Sequence, residues 1–301
     1  MTGLRALVKR NTKLYFSDKG MFFSSLITPV ILLILYSTFL KNVYDDSFRG
    51  ALKQAGVTIS DKVINGCVGG QLVSSLLAVS CVTISFCSNL LMIRDKVSGA
   101  KKDLTITPVK PGILALGYYL STIISTLIIC FAAAGVCFIY IAYSGWYLTV
   151  SDVVCILFDI ILLVLFGTAL SSCINYFLST DGQASAVGTL ISTGYGFICG
   201  AYMPISNFSD GLQKVLSFLP GTYGTSLLRN HALRGVFAEM SNIGFPKEVV
   251  ENIRDSVDCN LYFLGDKVSV TAMYFILIIT VLLLIGIYVL INNLASGFKK
   301  R

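Results

Sequence analysis

Six apolar segments divide this chain, and charged side chains are nearly absent from them. A helix needs about 20 apolar residues to cross the hydrocarbon core of a bilayer. A backbone in lipid must also satisfy its own hydrogen bonds, which a helix does within one segment. The sequence therefore predicts an all-α integral membrane protein. The predicted transmembrane helices are Met21–Leu40, Cys67–Ile93, Ile113–Tyr143, Val153–Leu178, Ala184–Met203 and Val270–Leu294.

Lysine and arginine are concentrated in alternate connecting segments. They occupy the N-terminal segment, the connection after the second span and the C-terminal tail: Arg5, Lys9, Arg10, Lys13, Lys19; Arg94, Lys96, Lys101, Lys102, Lys110; Lys299, Lys300, Arg301. Because cytoplasmic segments carry an excess of these residues, both termini and residues 94–110 are predicted to be cytoplasmic. Residues 204–269 then form an extracellular loop region within a single membrane domain, residues 1–301. The turn Thr180–Gln183 lacks the basic residue that this topology would favour.

Residues 1–19 have the pattern of an amphipathic helix. At 100° per residue, one face is apolar and the other basic. The two faces are Leu4, Leu7, Val8, Leu14 and Tyr15, and Arg5, Lys9, Arg10 and Lys13. This separation favours a helix lying on anionic headgroups over a solvated basic tail.

A polar stripe follows one side of the second span. Its polar members are Gln71, Ser74, Ser75, Ser85 and Asn89. Because polar side chains facing lipid are costly, the stripe should face protein or a water-filled path. Two interpretations have equal weight: the stripe lines a translocation path, or it makes hydrogen bonds between helices.

Small residues recur every four positions in the fifth span. They are Ala184, Gly188, Ser192, Gly196 and Gly200. Small-xxx-small spacing lets two helix backbones approach closely in lipid. We therefore predict helix packing at Gly188, Gly196 and Gly200, within the subunit or across a dimer. Ser192 is a secondary candidate for the translocation path.

Asp159 is a carboxylate within the fourth span, and such residues are functional candidates by default. No Lys or Arg lies at similar depth, and the single histidine, His231, falls in the predicted outer loop. Asp159 therefore appears isolated in the sequence. It is a candidate for the translocation path, while an intramembrane enzyme, which needs a paired set of groups, is disfavoured.

Other functions are disfavoured by what the sequence lacks. The basic residues flank spans, which explains them without a nucleic-acid partner. The nine cysteines lie mostly in or beside spans, and Cys259 has no obvious partner, so no disulfide framework is expected. No CxxC or HExxH spacing indicates a metal site, and no G-x-x-x-x-G-K-[ST] loop could cradle ATP.

Two sequence blocks carry a family resemblance. The first runs from Arg94-Asp95 through Gly99 and Leu104 to Thr107-Pro108-Val109. The second comprises Gly200 to Ser206, Phe218 to Tyr223, and Leu228-Arg229. In this order they resemble ABC exporter permeases of the ABC-2 superfamily, which usually have glutamate where this chain has Asp95.

The resemblance implies a type V exporter-like permease in a bacterial plasma membrane. Such permeases pair as two membrane subunits with two ATPase subunits, which hold ATP and magnesium. It also implies that Arg94, Asp95, Gly99, Leu104, Thr107 and Pro108 belong to a coupling segment that contacts the ATPase. A bulky charged residue at Gly99 or Leu104 is then expected to uncouple hydrolysis from transport.

The substrate is not specified by the resemblance. The uncharged polar stripe gives a weak preference for a small hydrophobic or amphipathic compound, a drug, a peptide or a lipid. An alternative function is a six-helix channel or membrane receptor that needs no ATPase.

Overall fold

A computed structural model describes residues 2–54, 60–107 and 109–298. Pro108 and the basic tail 299–301 lie outside the described residues. The helices are α1 Thr2–Ser17, α2 Lys19–Leu35, α3 Lys41–Gln54, α4 Asp61–Val97, α5 Ala100–Ile106, α6 Pro111–Ser144, α7 Val150–Phe177, α8 Asp181–Ile198, α9 Asp210–Leu216, α10 Pro220–Asn242, α11 Lys247–Ser256 and α12 Val270–Phe298.

Within the described residues, five helices are long and apolar enough to cross a membrane. They are Lys19–Leu40, Asp61–Val97, Pro111–Ser144, Val150–Phe177 and Val270–Asn293. Each covers one predicted span, apart from the last predicted residue of two of them, Leu178 and Leu294. The remaining predicted span, Ala184–Met203, coincides with the shorter α8, which ends at Ile198. The chain is therefore a helical membrane protein.

The first span is the middle of a longer helical column. Ser17 ends α1, and the Asp18 carboxylate caps α2 by accepting a hydrogen bond from the Met21 amide at 3.0 Å. A π-helical turn, Tyr36–Leu40, joins α2 to α3. The column therefore extends past the predicted end of the span at Leu40.

α1 packs against α6 along one face. Leu7, Asn11 and Tyr15 are buried, at the i, i+4 and i+8 positions of one side. Leu14 is exposed, and Arg10 turns toward the protein to pair with Asp95. The side of α1 that packs on the protein therefore includes Arg10 as well as Leu7 and Tyr15. The predicted contact of α1 with lipid headgroups stays a prediction.

The central element is α4, which contacts α2, α6, α7, α8 and α10. Nearly all its side chains between Val63 and Ile93 are buried. At about 1.5 Å per residue, its 37 residues exceed the thickness of the hydrocarbon core. The helix therefore links both ends of the molecule.

Residues 204–269 are not an irregular loop. Among them, α10 is 23 residues long and packs between α4, α7 and α12. The stretch Phe237–Lys267 includes the end of α10, α11 and a hairpin of β1 Leu261–Phe263 and β2 Asp266–Val268. Cys259 is a buried free thiol. Hydropathy alone missed this packing because α10 is far less apolar than α6, α7 and α12 and yet is buried.

Three connecting segments meet at one end of the molecule. The Lys96 ammonium donates to the backbone carbonyls of Asn175, Tyr176 and Leu178 at 3.2, 2.5 and 2.8 Å. Arg94 pairs with Asp18. The turn after α7 and the N-terminal helix therefore lie beside the basic segment 94–110, and we call this the α5 end.

Candidate functional site

The α5 end presents a short helix whose position is set by a glycine. Gly99 has φ = +83°, a conformation that side chains other than glycine rarely adopt, and it turns the chain out of α4. Leu104 then packs on the buried cluster of Leu7, Met92 and Tyr118. Leu104 therefore holds α5 against the protein, and the other side of α5 faces solvent.

Ile106 is the exposed apolar residue of this helix. Its side chain is 83% exposed and lies near the exposed residues Lys102, Asp103 and Thr107. Single exposed aliphatic side chains are common on protein surfaces, so exposure alone does not mark a contact. Ile106 is a docking candidate because it lies within the basic segment 94–110. Ile106 was not among the residues predicted for this site, although it lies between two that were, Leu104 and Thr107.

Asp95 acts within the chain. It is buried and accepts hydrogen bonds from Arg10 at 2.7 and 3.2 Å and from the Tyr118 hydroxyl at 2.5 Å. The hydrogen bond from Arg10 to Asp95 raises the pKa of Arg10. Because these groups come from α1, α4 and α6, Asp95 fixes the three helices at the α5 end.

Arg94 and Thr107 lie on the surface of the α5 end. Arg94 pairs with Asp18, whose pKa is lowered by the hydrogen bond from the Met21 amide and then by Arg94. Thr107 is exposed, and its hydroxyl donates to the Leu104 carbonyl at 2.6 Å. Pro108 lies outside the described residues.

The polar stripe of α4 is buried within the chain. Ser75 accepts from Arg229 at 3.3 Å, and Gln71 accepts at 3.2 Å with its amide oxygen turned toward Arg229. Asn89 donates to Ser171 and Ser172 of α7 at 3.0 Å.

The rest of the stripe makes shorter-range contacts. Ser85 accepts from Thr168 at 3.4 Å, and Ser74 donates to the Gln71 carbonyl at 3.0 Å. The contacts of Gln71, Ser75, Ser85 and Asn89 join α4 to α7 and α10, whereas that of Ser74 lies within α4.

A large groove opens between α2 and α8. Its volume is about 1240 Å³, and Gly188 and Ser192 line it together with apolar residues of α2. Space is open above Gly188, whereas the Tyr202 ring covers Gly196. Gly200 follows the helix in a turn with φ = +74°. The three glycines therefore lie in different surroundings: Gly188 lines the groove, Gly196 packs under the Tyr202 ring, and Gly200 forms a turn.

Asp159 is not isolated, which corrects the sequence-based expectation. Its carboxylate lies 2.6 Å from His231 Nδ1 and accepts from the Tyr274 hydroxyl at 2.6 Å. His231 belongs to α10 and Tyr274 to α12. The folding of residues 220–242 into the helical bundle brings these groups together, and the cluster joins α7, α10 and α12.

The sequence that forms the α5 end and most of the helical bundle matches a known family. The family model described as ABC-2 type transporter covers residues 2–232. This chain belongs to the ABC-2 type transporter family. A search of curated proteins found no match. The family match makes this ABC-2 permease a membrane component of transport, and it extends from α1 into α10, while α11, the hairpin and α12 lie beyond it.

Proposed function

We propose that this permease is the membrane subunit of an ATP-driven exporter whose ATPase is a separate chain. The observation that carries the proposal is the α5 end, where an exposed Ile106 projects beside a rigidly held, basic surface. A partner ATPase supplies ATP and magnesium. Leu104 holds α5 against α1, α4 and α6, and the Asp95 bonds join those three helices, so that a push on α5 moves α4.

The proposed orientation places the α5 end in the cytoplasm. Its excess of Lys and Arg supports this assignment, and both termini then face the cytoplasm of a bacterial cell. Lys96 holds the end of α7 at the same side, which supports a cytoplasmic turn at Thr180–Gln183 despite its lack of basic residues. If α8 crosses the membrane as well, the protein has six transmembrane helices, as in type V exporters.

Motion at α5 has a direct route to the groove. Gly99 connects α5 to α4, while the bonds of Lys96 connect α4 to the turn that begins α8. ATP binding to the partner shifts the population between inward-open and outward-open states because one state docks the closed ATPase better. The packing of Leu104 on α1, α4 and α6 and the bonds of Lys96 transmit that preference.

The groove between α2 and α8 supports a path formed with a second permease copy or homologue. Hydroxyl groups of Thr28, Ser185, Thr189 and Ser192 lie among apolar side chains there. This mixture suits small hydrophobic or amphipathic substrates, drugs, peptides or lipids. The buried stripe residues Gln71, Ser74, Ser75, Ser85 and Asn89, like Asp159, would reach a path only if α4 and α7 separated during transport.

Ile106→Asp is expected to remove the partner ATPase from the permease. A buried apolar contact replaced by a carboxylate loses its hydrophobic contribution and desolvates a charge. We expect recovery of a P-loop ATPase, measured by affinity purification from native membranes and mass spectrometry, to fall at least about tenfold. Val150→Asp is the matched control, because Val150 is also 83% exposed but begins α7 at the opposite end.

Undiminished ATPase recovery with the Ile106 variant would contradict docking at α5. Leu104→Asp is a less specific probe because Leu104 packs inside the chain. If wild-type permease is repeatedly recovered without an ATPase, the alternative channel or receptor function is favoured instead.

A further inference from the structure

A smaller pocket lies at the end of the molecule opposite α5. Its volume is about 390 Å³, within the range of small-molecule sites, and it lies between α10, α11 and the first residue of α12. Most of its lining lies beyond residue 232, where the family match ends. The pocket is separate from the α2–α8 groove and from the α5 end.

Arg254 contributes an unsatisfied donor to this pocket. Its Nη2 donates to the Asn230 side-chain oxygen at 3.1 Å, and its guanidinium lies 5.6 Å from the centre of the Phe237 ring. Its Nε is buried and has no hydrogen-bond partner within the described residues. The Glu251 carboxylate forms an ion pair with this nitrogen at 4.0 Å, beyond hydrogen-bond distance. Burying such an N–H is costly unless a ligand accepts from it.

Arg234 and His231 line the same pocket. Arg234 is half exposed and uses Nε to bind Asp152 at 2.5 Å. Its two terminal nitrogens have no hydrogen-bond partner in the part of the chain that the structure describes. His231 directs Nδ1 to Asp159 and leaves Nε2 without a partner among those residues. Arg254, Arg234 and His231 therefore each present, around one pocket, a nitrogen without a hydrogen-bond partner from the described parts of the chain.

The carboxylates around the pocket are already engaged. Asp152 also caps α7 through Thr149, and Asp159 holds Tyr274. Glu251 accepts from Lys267 and from the Asn260 amide. The two arginines are therefore only partly neutralised, and their planar guanidinium groups match the geometry of phosphate and carboxylate oxygens.

We propose that this pocket binds a phosphate group, held by Arg234 and Arg254. Phe237, Val250 and Val270 provide apolar walls beside the charged groups. Such walls would accept the glycerol and first acyl carbons of a phospholipid, and the same guanidinium groups would hold a free phosphate. The two sources share one recognition chemistry and are distinguished by experiment.

Binding is measured on the full chain purified in detergent, with three probes. They are dioctanoyl phosphatidylglycerol, dioctanoylglycerol, which lacks phosphate, and inorganic phosphate. Saturable binding of the phospholipid without the other two identifies a lipid headgroup site. Saturable binding of inorganic phosphate identifies a free-anion site, and both results support the proposal. Binding of dioctanoylglycerol as tight as that of the phospholipid would overturn it.

Arg254→Gln and Arg234→Gln are each expected to weaken binding of the phosphate-bearing probe about tenfold or more. Arg49→Gln is the matched control, because Arg49 pairs with Asp45 and Asp61 outside the pocket. Size-exclusion elution checks folding. Arg234→Gln leaves the buried Asp152 carboxylate without its ion-pair partner, whereas the partner of Arg254, Glu251, is 45% exposed. The Arg254 variant therefore keeps the test valid if the Arg234 variant fails to fold. Unchanged affinity in a folded arginine variant, or no binding of any probe to wild type, would overturn the proposal.

Discussion

Arg229→Met is expected to destabilise the permease by about 3–5 kcal/mol, because it strands a buried carboxylate. Arg229 is 1% exposed. Its Nη1 donates to Asp258 at 3.0 Å, and its other donors reach Ser75 and the Gly200 carbonyl. One guanidinium therefore joins α10 to α4, to the turn after α8 and to the segment after α11.

Asp258 explains why loss of the arginine should be costly. Its carboxylate also accepts from the backbone amides of Ile205 at 2.5 Å and Ser206 at 3.2 Å, so it cannot turn away to solvent. Without Arg229 it must remain charged and unpaired or take up a proton. Either outcome reduces the free energy of unfolding.

A denaturant titration of the purified permease in detergent tests this expectation. The double variant Arg229→Met/Asp258→Asn should recover part of the loss, since it removes the stranded charge and keeps an acceptor for the Ile205 amide. Arg49→Met is the surface control and should leave the transition midpoint unchanged. A single variant as stable as wild type would show that the ion pair contributes nothing to the fold.

The transmembrane segments could be predicted because lipid imposes one strong condition on sequence. A helix in hydrocarbon must be long and apolar on its surface, and five predicted spans coincide with such helices. The shorter α8 is less apolar and ends before Gly200, whose positive φ starts a turn. Periodic spacing of small residues could not reveal that end, because glycine serves both packing and turning.

The packing of α10 could not be predicted from hydropathy. This helix contains Arg229, Asn230 and His231, so its average polarity resembles that of a surface loop. Arg229 and His231 nevertheless pair with carboxylates far away in sequence, Asp258 and Asp159. Burial of a polar helix depends on those distant partners, and no local pattern encodes them.

The coupling segment was predicted through its family resemblance, and its internal geometry was not. The family resemblance assigned Asp95, Leu104 and their neighbours to one surface that contacts the ATPase. The structure divides them: Asp95 and Leu104 face inward, while Thr107 and the overlooked Ile106 face outward. This division depends on where α1 and α6 pack, which the sequence of the segment does not contain.

Gly235→Ala is expected to disrupt the end of the molecule opposite α5. A Cβ at Gly235 would overlap the Tyr147 carbonyl oxygen and lie 2.8 Å from its carbonyl carbon. Real Cβ atoms essentially never approach within 3.0 Å of such atoms. Because the obstacle is backbone, no side chain can rotate away, and α10 must separate from the α6–α7 connection.

We expect a loss of about 3 kcal/mol or a failure to fold, at or above the upper range for overpacking. Gly135→Ala in α6 is the control: nothing lies within 4 Å of its added Cβ, and alanine favours a helix more than glycine does. Trp146, the single tryptophan, precedes Tyr147 and reports the local displacement through its emission. If the Gly235 variant retains wild-type emission and stability, α10 and the connection are not in contact as described. A change confined to this variant would show that the contact between α10 and residues 145–149 maintains this end of the bundle.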